Sequence, residues 1–307
     1  MEFYEQILSL KEQFKTSDKF QLPGNFKNMV ISGMGGSGIA GKIFQDLYNE
    51  KLLFVNESYD IPRWVDQYTL FIGISYSGNT EETLAALEAA IKAGAQTVSI
   101  SSGGKISRMA STNVVVPGGL QPRSALGYLV SPLLNTFNII NSAGKERVYE
   151  LLDELDKEHK FLDLVASEIV EDEKIPVLLT LPGFRSAGFR WKTQFNENAK
   201  ILSFSLNFPE LDHNDIMAFE RSYLRERFYP IVIGDTTNSQ MEKRISATSN
   251  LTGYKFKLLP VKGKNPVEKI MYAIHCADYV SYHASILRGL DPEDVSVIEK
   301  LKSELVK

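Results

Sequence analysis

An alternation of short apolar runs and longer amphipathic stretches begins, stops and begins again, and this constrains the chain more than any other feature. The first series places strands near 28–33, 52–58, 69–75, 96–101 and 113–117, with helical stretches at about 37–50, 80–93 and 123–142. The second places strands near 175–181, 201–206, 228–234 and 255–261, helices near 184–199, 213–220, 238–252 and 266–288, and a last helix over 295–305. Strand–helix–strand units join through right-handed crossovers, so each series predicts a parallel sheet with helices on both faces. Between the series, Leu151, Leu155, Leu162, Val165 and Ile169 recur among charges, which predicts one helix over 146–173 with a single buried stripe. The expected organisation is two α/β domains, 1–147 and 148–307.

The two halves look like a degenerate duplication. Setting Val30 against Leu179 puts Ser37 over Ser186, and the glycine-rich 32-SGMGGSGIAGK-42 faces a decayed 182-PGFRSAG-188. Likewise 73-GISYSGNTEET-83 corresponds to 234-GDTTNSQMEK-243. The first copy is rich in hydroxyls where the second carries Asp235, a poor neighbour for an anion. An anion site is therefore expected in the first copy.

Composition removes several functions. The net charge of −4 and pI near 5.7 argue against nucleic acid as a partner, which would favour a clustered basic face. No run of about 18 apolar residues is present, so no membrane span is expected. The N-terminal stretch lacks the apolar core of a signal peptide. Cys276 is the single cysteine, which excludes an internal disulfide and fits a reducing, cytoplasmic setting. The four histidines, His159, His213, His275 and His283, form no metal-ligand pattern, and no metal or cofactor is expected. His275, His283, Met271 and Cys276 are expected to pack in the core or at an interface.

The glycine loop admits three readings. A dinucleotide site uses Gly33, Gly35 and Gly38 and asks for an acid about twenty residues on, where Glu57 and Asp60 lie. A nucleotide phosphate loop fits Gly36 to Lys42 but leaves Ile43 where a magnesium-holding hydroxyl belongs. A tight turn needs only bare backbone. The next strand–helix loop separates them. In 75-SYSGNTEET-83 the hydroxyls of Ser75, Ser77 and Thr80 surround Gly78 ahead of a helix N-terminus, a pocket suited to a terminal phosphomonoester. The plain alternative is a capping box with Asn79 as cap and Glu82 three residues on.

The motifs GMGGSGIAG, SYSGNTEET, 122-PRSALGYL-129, 196-NENAK-200 and 209-PELDHND-215 occur in this order. Together they resemble the bifunctional phosphoglucose/phosphomannose isomerases, built from two sugar isomerase (SIS) domains. The resemblance implies two flavodoxin-like αβα sandwiches and a cytoplasmic, metal-independent homodimer that interconverts aldose and ketose 6-phosphates. It implies that Ser75, Ser77 and Thr80 hold the phosphate and that Gly36 and Ser37 seat the sugar. It further implies Glu197 as the base, Arg123 over the reacting carbons, and His213, donated by the partner subunit, as the ring opener. Lys302 resembles a lysine near the ring oxygen, with Lys300 equally available.

These residue types suit the chemistry. One carboxylate can move a proton between C1 and C2 if held close to both. A fixed guanidinium offsets the charge of the enediolate, and a histidine can open the hemiacetal near neutrality. Two other readings use the same scaffold: a different reaction on an amino-sugar phosphate, and a non-catalytic sugar-phosphate sensor.

Overall fold

Two short helices, α1 (Phe3–Leu8) and α2 (Leu10–Gln13), lead into the first sheet. That sheet holds β1 (Asn28–Ser32), β2 (Leu52–Asn56), β3 (Thr69–Ile74), β4 (Gln96–Ser101) and β5 (Thr112–Val115), all parallel, in the order β2-β1-β3-β4-β5. Helix α3 (Gly35–Leu47) follows β1, α4 (Glu81–Lys92) follows β3, and α5 (Leu126–Thr136) and α6 (Ser142–Lys157) follow β5. The central strand β3 is buried along its whole length, as expected of a parallel strand covered on both faces. Val30, Phe71, Ala86, Leu87 and Ile106 form the core on the α4 side.

Helix α7 (Lys160–Glu171) opens the second series. Its sheet holds β6 (Ile175–Thr180), β7 (Phe204–Asn207), β8 (Phe228–Ile233) and the two-residue β9 (Lys257–Leu258), parallel, in the order β7-β6-β8-β9. The helices are α8 (Arg185–Gln194), α9 (Asp215–Arg221), α10 (Ser239–Thr252), α11 (Pro266–Leu287) and α12 (Ser296–Leu305). The winding repeats that of the first sheet without its last strand, so the two α/β sandwiches read from the sequence are present. Val177, Leu179, Phe208, Phe219 and Val232 form the second core.

The computed structural model describes residues 1–221 and 223–305. Two compact units divide them: a first of residues 5–156 and 262–272, and a second of residues 1–4, 157–261 and 273–307.

Two expectations change. The helix over 146–173 is two helices, parted at Glu158 and His159. Val148, Leu152 and Leu155 are the buried stripe of α6, whereas Leu162, Val165, Ala166 and Ile169 are that of α7, and the two stripes belong to different units. His159 restarts the helix by accepting the Leu162 and Asp163 N–H groups. The helix expected to 142 stops at Thr136 because Phe137 turns into an aromatic cluster with Phe20, Phe26, Phe44 and Tyr48, followed by Asn138 at φ 53°. Met271, His275, Cys276 and Val280 on α11 are buried within the chain, the core placement among the two expected, while Ile286 and Leu287 at its end are exposed.

Among the described residues no helix is long and apolar enough to cross a membrane, and no group of three or more His, Cys, Asp or Glu is placed to hold a metal.

Candidate active site

The β3–α4 loop is built from its glycines outward. Gly78 sits at φ 69°, and a Cβ there would collide with the Gly103 carbonyl oxygen. A Cβ on Gly104, at φ 76°, would stand 2.5 Å from the Ser77 carbonyl oxygen. The loop therefore packs backbone to backbone on residues 102–106, pinned by Ser102 N–H to Tyr76 O and Ile106 N–H to Gly78 O, both 3.0 Å. The glycine pair after β4 was a readable signal for this support.

On that base the hydroxyls converge. Ser75 Oγ and Thr80 Oγ1 share a hydrogen bond at 2.8 Å, with Ser75 fully buried. Ser77 is exposed, and its Oγ accepts the Asn79 N–H at 3.3 Å. Thr80, not Asn79, is the N-cap of α4, and its side chain bonds no helix N–H. Asn79 turns away: its Nδ2 donates to Ser77 O at 3.1 Å and its Oδ1 accepts Lys105 N–H at 3.1 Å. The capping box that the sequence allows is not formed. The first turn of α4 has no side-chain cap beside the two hydroxyls, which is the chemistry of a compact anion seat, although it also carries Glu81, exposed, and Glu82, half-buried.

The first glycine loop lies beside this one. Ser37 Oγ accepts the Tyr76 N–H at 3.2 Å, tying α3 to the β3–α4 loop. Burial pushes the Tyr76 phenol up, and its hydroxyl braces Pro117 O and Leu120 N–H as a neutral group. A Cβ on Gly33 would stand 2.9 Å from Ile74 O, and one on Gly38 would stand 2.7 Å from Gly33 O. At Gly36 a Cβ would meet Arg123 Cα and Pro122 O, both at 2.9 Å. The bareness of this loop is thus used by protein neighbours, and Gly36 sets how near Arg123 approaches α3. The residues behind the two rival readings meet one another: Lys42 Nζ pairs with Glu57 Oε2 at 2.6 Å. The phosphate-loop lysine is thus engaged by an acid, and the other carboxylate oxygen of Glu57 lies 3.5 Å from where a Cβ on Gly38 would stand.

Arg123 sits on a 3₁₀ turn, Pro122–Ser124, and is 4% exposed. Two glutamines hold that turn. Gln13, fully buried, donates to Ser124 O at 2.7 Å and accepts Gly127 N–H at 2.9 Å. Gln6 Oε1 accepts Gln121 N–H at 2.8 Å. Sequence reasoning passed over both, since nothing local connects them to a loop more than a hundred residues away. The first unit thus brings together Gly36, Ser37, Ser75, Ser77, Thr80 and Arg123.

Glu197, His213 and Lys302 belong to the second unit, on three separate elements. Glu197 is half-buried on a π-helical turn, Phe195–Ala199, that continues α8. Single π turns recur where a side chain must be aimed out of α-helical register. His213 is exposed at the end of a 3₁₀ turn, Glu210–His213. Two residues on, burial pushes the Asp215 carboxyl up, and the Glu210 carboxylate adds to it. Lys300 and Lys302 are both exposed on α12, which buries no residue. Trp191 is fully buried with its Nε1 donating to Ala273 O, a packing role.

Residues 25–128 match the SIS domain family, and residues 163–305 match the family described as the bacterial phospho-glucose isomerase C-terminal SIS domain. A bifunctional phosphoglucose/phosphomannose isomerase of Thermoplasma volcanium is 47% identical over 99% of this chain and 100% of its own length. A D-glucosamine-6-phosphate 4-epimerase of Sulfolobus acidocaldarius is 32% identical over 98% of this chain and 94% of its own. Among solved structures, the C-terminal domain of glucosamine-fructose-6-phosphate aminotransferase from Francisella tularensis superposes with a TM-score of 0.70 at 15% identity, covering 94% of this chain and 95% of that one.

Proposed function

The chain belongs to the bifunctional phosphoglucose/phosphomannose isomerase family, and from that premise we propose that it interconverts glucose 6-phosphate and mannose 6-phosphate with fructose 6-phosphate. The observation that carries this reading is the uncapped N-terminus of α4 facing the Ser75 and Thr80 hydroxyls. A terminal phosphate completes that end of the helix.

In this reading Ser75, Ser77 and Thr80 hold the 6-phosphate, and Gly36 and Ser37 seat the sugar beside them. Glu197 moves one proton between C1 and C2, passing through an enediolate. Arg123, which carries its charge at every working pH, offsets the negative oxygen. His213 of the partner subunit opens the ring of the bound sugar, and Lys302 neighbours the ring oxygen. The working form is a cytoplasmic homodimer. Product of either C2 configuration requires the intermediate to turn about C2–C3 above a single base.

The test is NMR of fructose 6-phosphate incubated with the protein in D₂O and EDTA. Glucose and mannose 6-phosphates, both deuterated at C2, are the expected products. Glu197→Gln is expected to lower kcat by roughly 10²–10⁴-fold. The relative named as a glucosamine-6-phosphate epimerase supports a second reading, in which the substrate is an amino-sugar phosphate. Turnover of glucosamine 6-phosphate with no deuterium entering fructose 6-phosphate would select it.

A further inference from the structure

A helix end leaves carbonyls without partners, and they must be met by side chains or water. The π turn that bears Glu197 meets them in an unusual way. Lys200 closes the turn at φ 54° and ψ 38°, a left-handed conformation that glycine adopts without strain. Its own N–H and that of Ile201 both bond to Phe195 O. A lysine in this position brings a side chain that glycine lacks, and that side chain folds back. Lys200 Nζ donates to Glu197 O at 2.8 Å, to Asn198 O at 3.3 Å and to Asp291 O at 2.9 Å. Arg288, just past the end of α11, takes the next two carbonyls: its Nη1 bonds Ala199 O and, at 2.9 Å, Lys200 O. Four consecutive carbonyls, 197 to 200, are thus held by two cations. On the other side, the fully buried Asn198 donates to Ser281 Oγ at 3.0 Å. The α8 body is fixed to α11 by a buried pair, Arg190 Nε to Asp278 Oδ1 at 2.8 Å.

The geometry points to Lys200 and Arg288 as positioning residues that fix the Glu197 carboxylate by clamping the carbonyls of its turn. This rests on Glu197 being the base. A carboxylate that serves two carbons must be held to within a fraction of an ångström, and displacement by one ångström can cost about a hundredfold in rate. Both cations are engaged on backbone carbonyls of the turn and its neighbour, and the hydroxyls proposed to hold the phosphate are those of Ser75, Ser77 and Thr80. Losing the clamp should therefore act on kcat and leave KM.

The experiment compares steady-state fructose 6-phosphate turnover for wild type, Arg288→Met, Arg288→Lys, Lys200→Gly and the exposed control Lys92→Met. Arg288→Met is expected to lower kcat by roughly 10²-fold with KM inside threefold of wild type, and Arg288→Lys to recover most of the loss. Lys200→Gly permits the left-handed backbone and removes the side chain with its ammonium, so its kcat should fall about tenfold at unchanged KM. A cavity of about 370 Å³ adjoins Arg288 and Lys200, so millimolar methylguanidinium should restore part of the turnover of Arg288→Ala. The inference is overturned if folded Arg288→Met or Lys200→Gly keeps wild-type kcat, or if kcat and KM change in parallel. Should Arg288→Met not fold, Lys200→Gly decides the matter by the same criteria. An inert wild type sinks the isomerase reading; an active wild type with unaltered variants sinks the clamp alone.

Discussion

The β3–α4 loop and its counterpart between β8 and α10 occupy the same place in two sheets wound alike, yet they finish their helices in opposite ways. In the second unit Asn238 caps α10, accepting the Gln240 and Met241 N–H groups at 3.0 and 3.3 Å. Three residues ahead of that cap, Asp235 accepts the Thr237 N–H and hydroxyl at 3.0 and 2.7 Å. The loop supplies its own negative charge and closes on itself. In the first unit the cap is Thr80, which bonds no helix N–H, and three residues ahead of it stands Ser77. An N-cap hydrogen bond contributes about 1 kcal/mol, and the open end of α4 forgoes that much. The difference sets apart the loop proposed to hold the phosphate: it is the one that leaves its helix unfinished.

The largest expected effect comes from the glycine that allows the open loop. Gly78→Ala introduces a Cβ into the Gly103 carbonyl at a positive φ and should destabilise the protein by about 2–4 kcal/mol and abolish phosphate binding. Thr236→Ala, two residues ahead of the second cap as Gly78 is ahead of the first, should stay within about 0.5 kcal/mol. Thermal unfolding of both variants checks the pair. Next, each hydrogen bond to a charged phosphate is worth about 1.5–3 kcal/mol. Ser75→Ala and Thr80→Val should then each raise KM for fructose 6-phosphate by roughly ten- to hundredfold. Asp235→Ala should leave KM where it is; a rise there would show that the second loop also meets substrate.

A transplant sharpens the comparison. Thr80→Asn gives the first helix the cap of the second, and should stabilise the protein by about 0.5–1 kcal/mol while weakening substrate binding. Gain of stability with unchanged KM would mean that the helix end seats no phosphate. The reverse change, Asn238→Ala, should cost about 1 kcal/mol and leave kcat alone.

The smallest effect separates the units by pH. Burial pushes the Glu268 carboxyl up, but the Lys264 N–H at 2.7 Å and the Arg147 guanidinium at 2.8 Å outweigh it, holding the group below its ordinary value of 4.5. A carboxyl with a lowered folded pKa contributes stability that is present above about pH 4.5 and is lost as pH falls through the folded value. In the second unit Tyr229 and Lys257 likewise outweigh the burial of Glu168 and hold it low. Glu168 is more exposed than Glu268, so solvent screening makes its share smaller. Glu268→Gln should flatten the acid limb of the unfolding curve between about pH 5 and 3 more than Glu168→Gln does.

The architecture was legible because alternating apolar runs and helical stretches leave few ways to bury both. The hydroxyl loop was legible for the same reason: three short polar side chains ahead of a helix exceed what a cap needs. What escaped depends on partners far along the chain. Nothing near Glu158 and His159 marks a helix break, since apolar residues recur at helical spacing on both sides, and only burial in two separate cores divides α6 from α7. The π turn at Phe195–Ala199 looks helical by spacing, because Arg288, which meets its carbonyls, lies almost ninety residues on. Asn79 has the better capping chemistry than Thr80, yet it is drawn off by the Lys105 N–H of the neighbouring loop.

Gly36 shows how a position can act through the spacing of two backbones as well as through any contact of its own. Its missing side chain is a gap one methyl group deep, and the backbone of Pro122 and Arg123 rests in that gap. Filling it with alanine would act as a shim, backing a whole guanidinium away from α3 by tenths of an ångström while leaving every polar group chemically intact. Such a variant would look like a fault in Arg123, though its cause would lie in the spacing of two backbones.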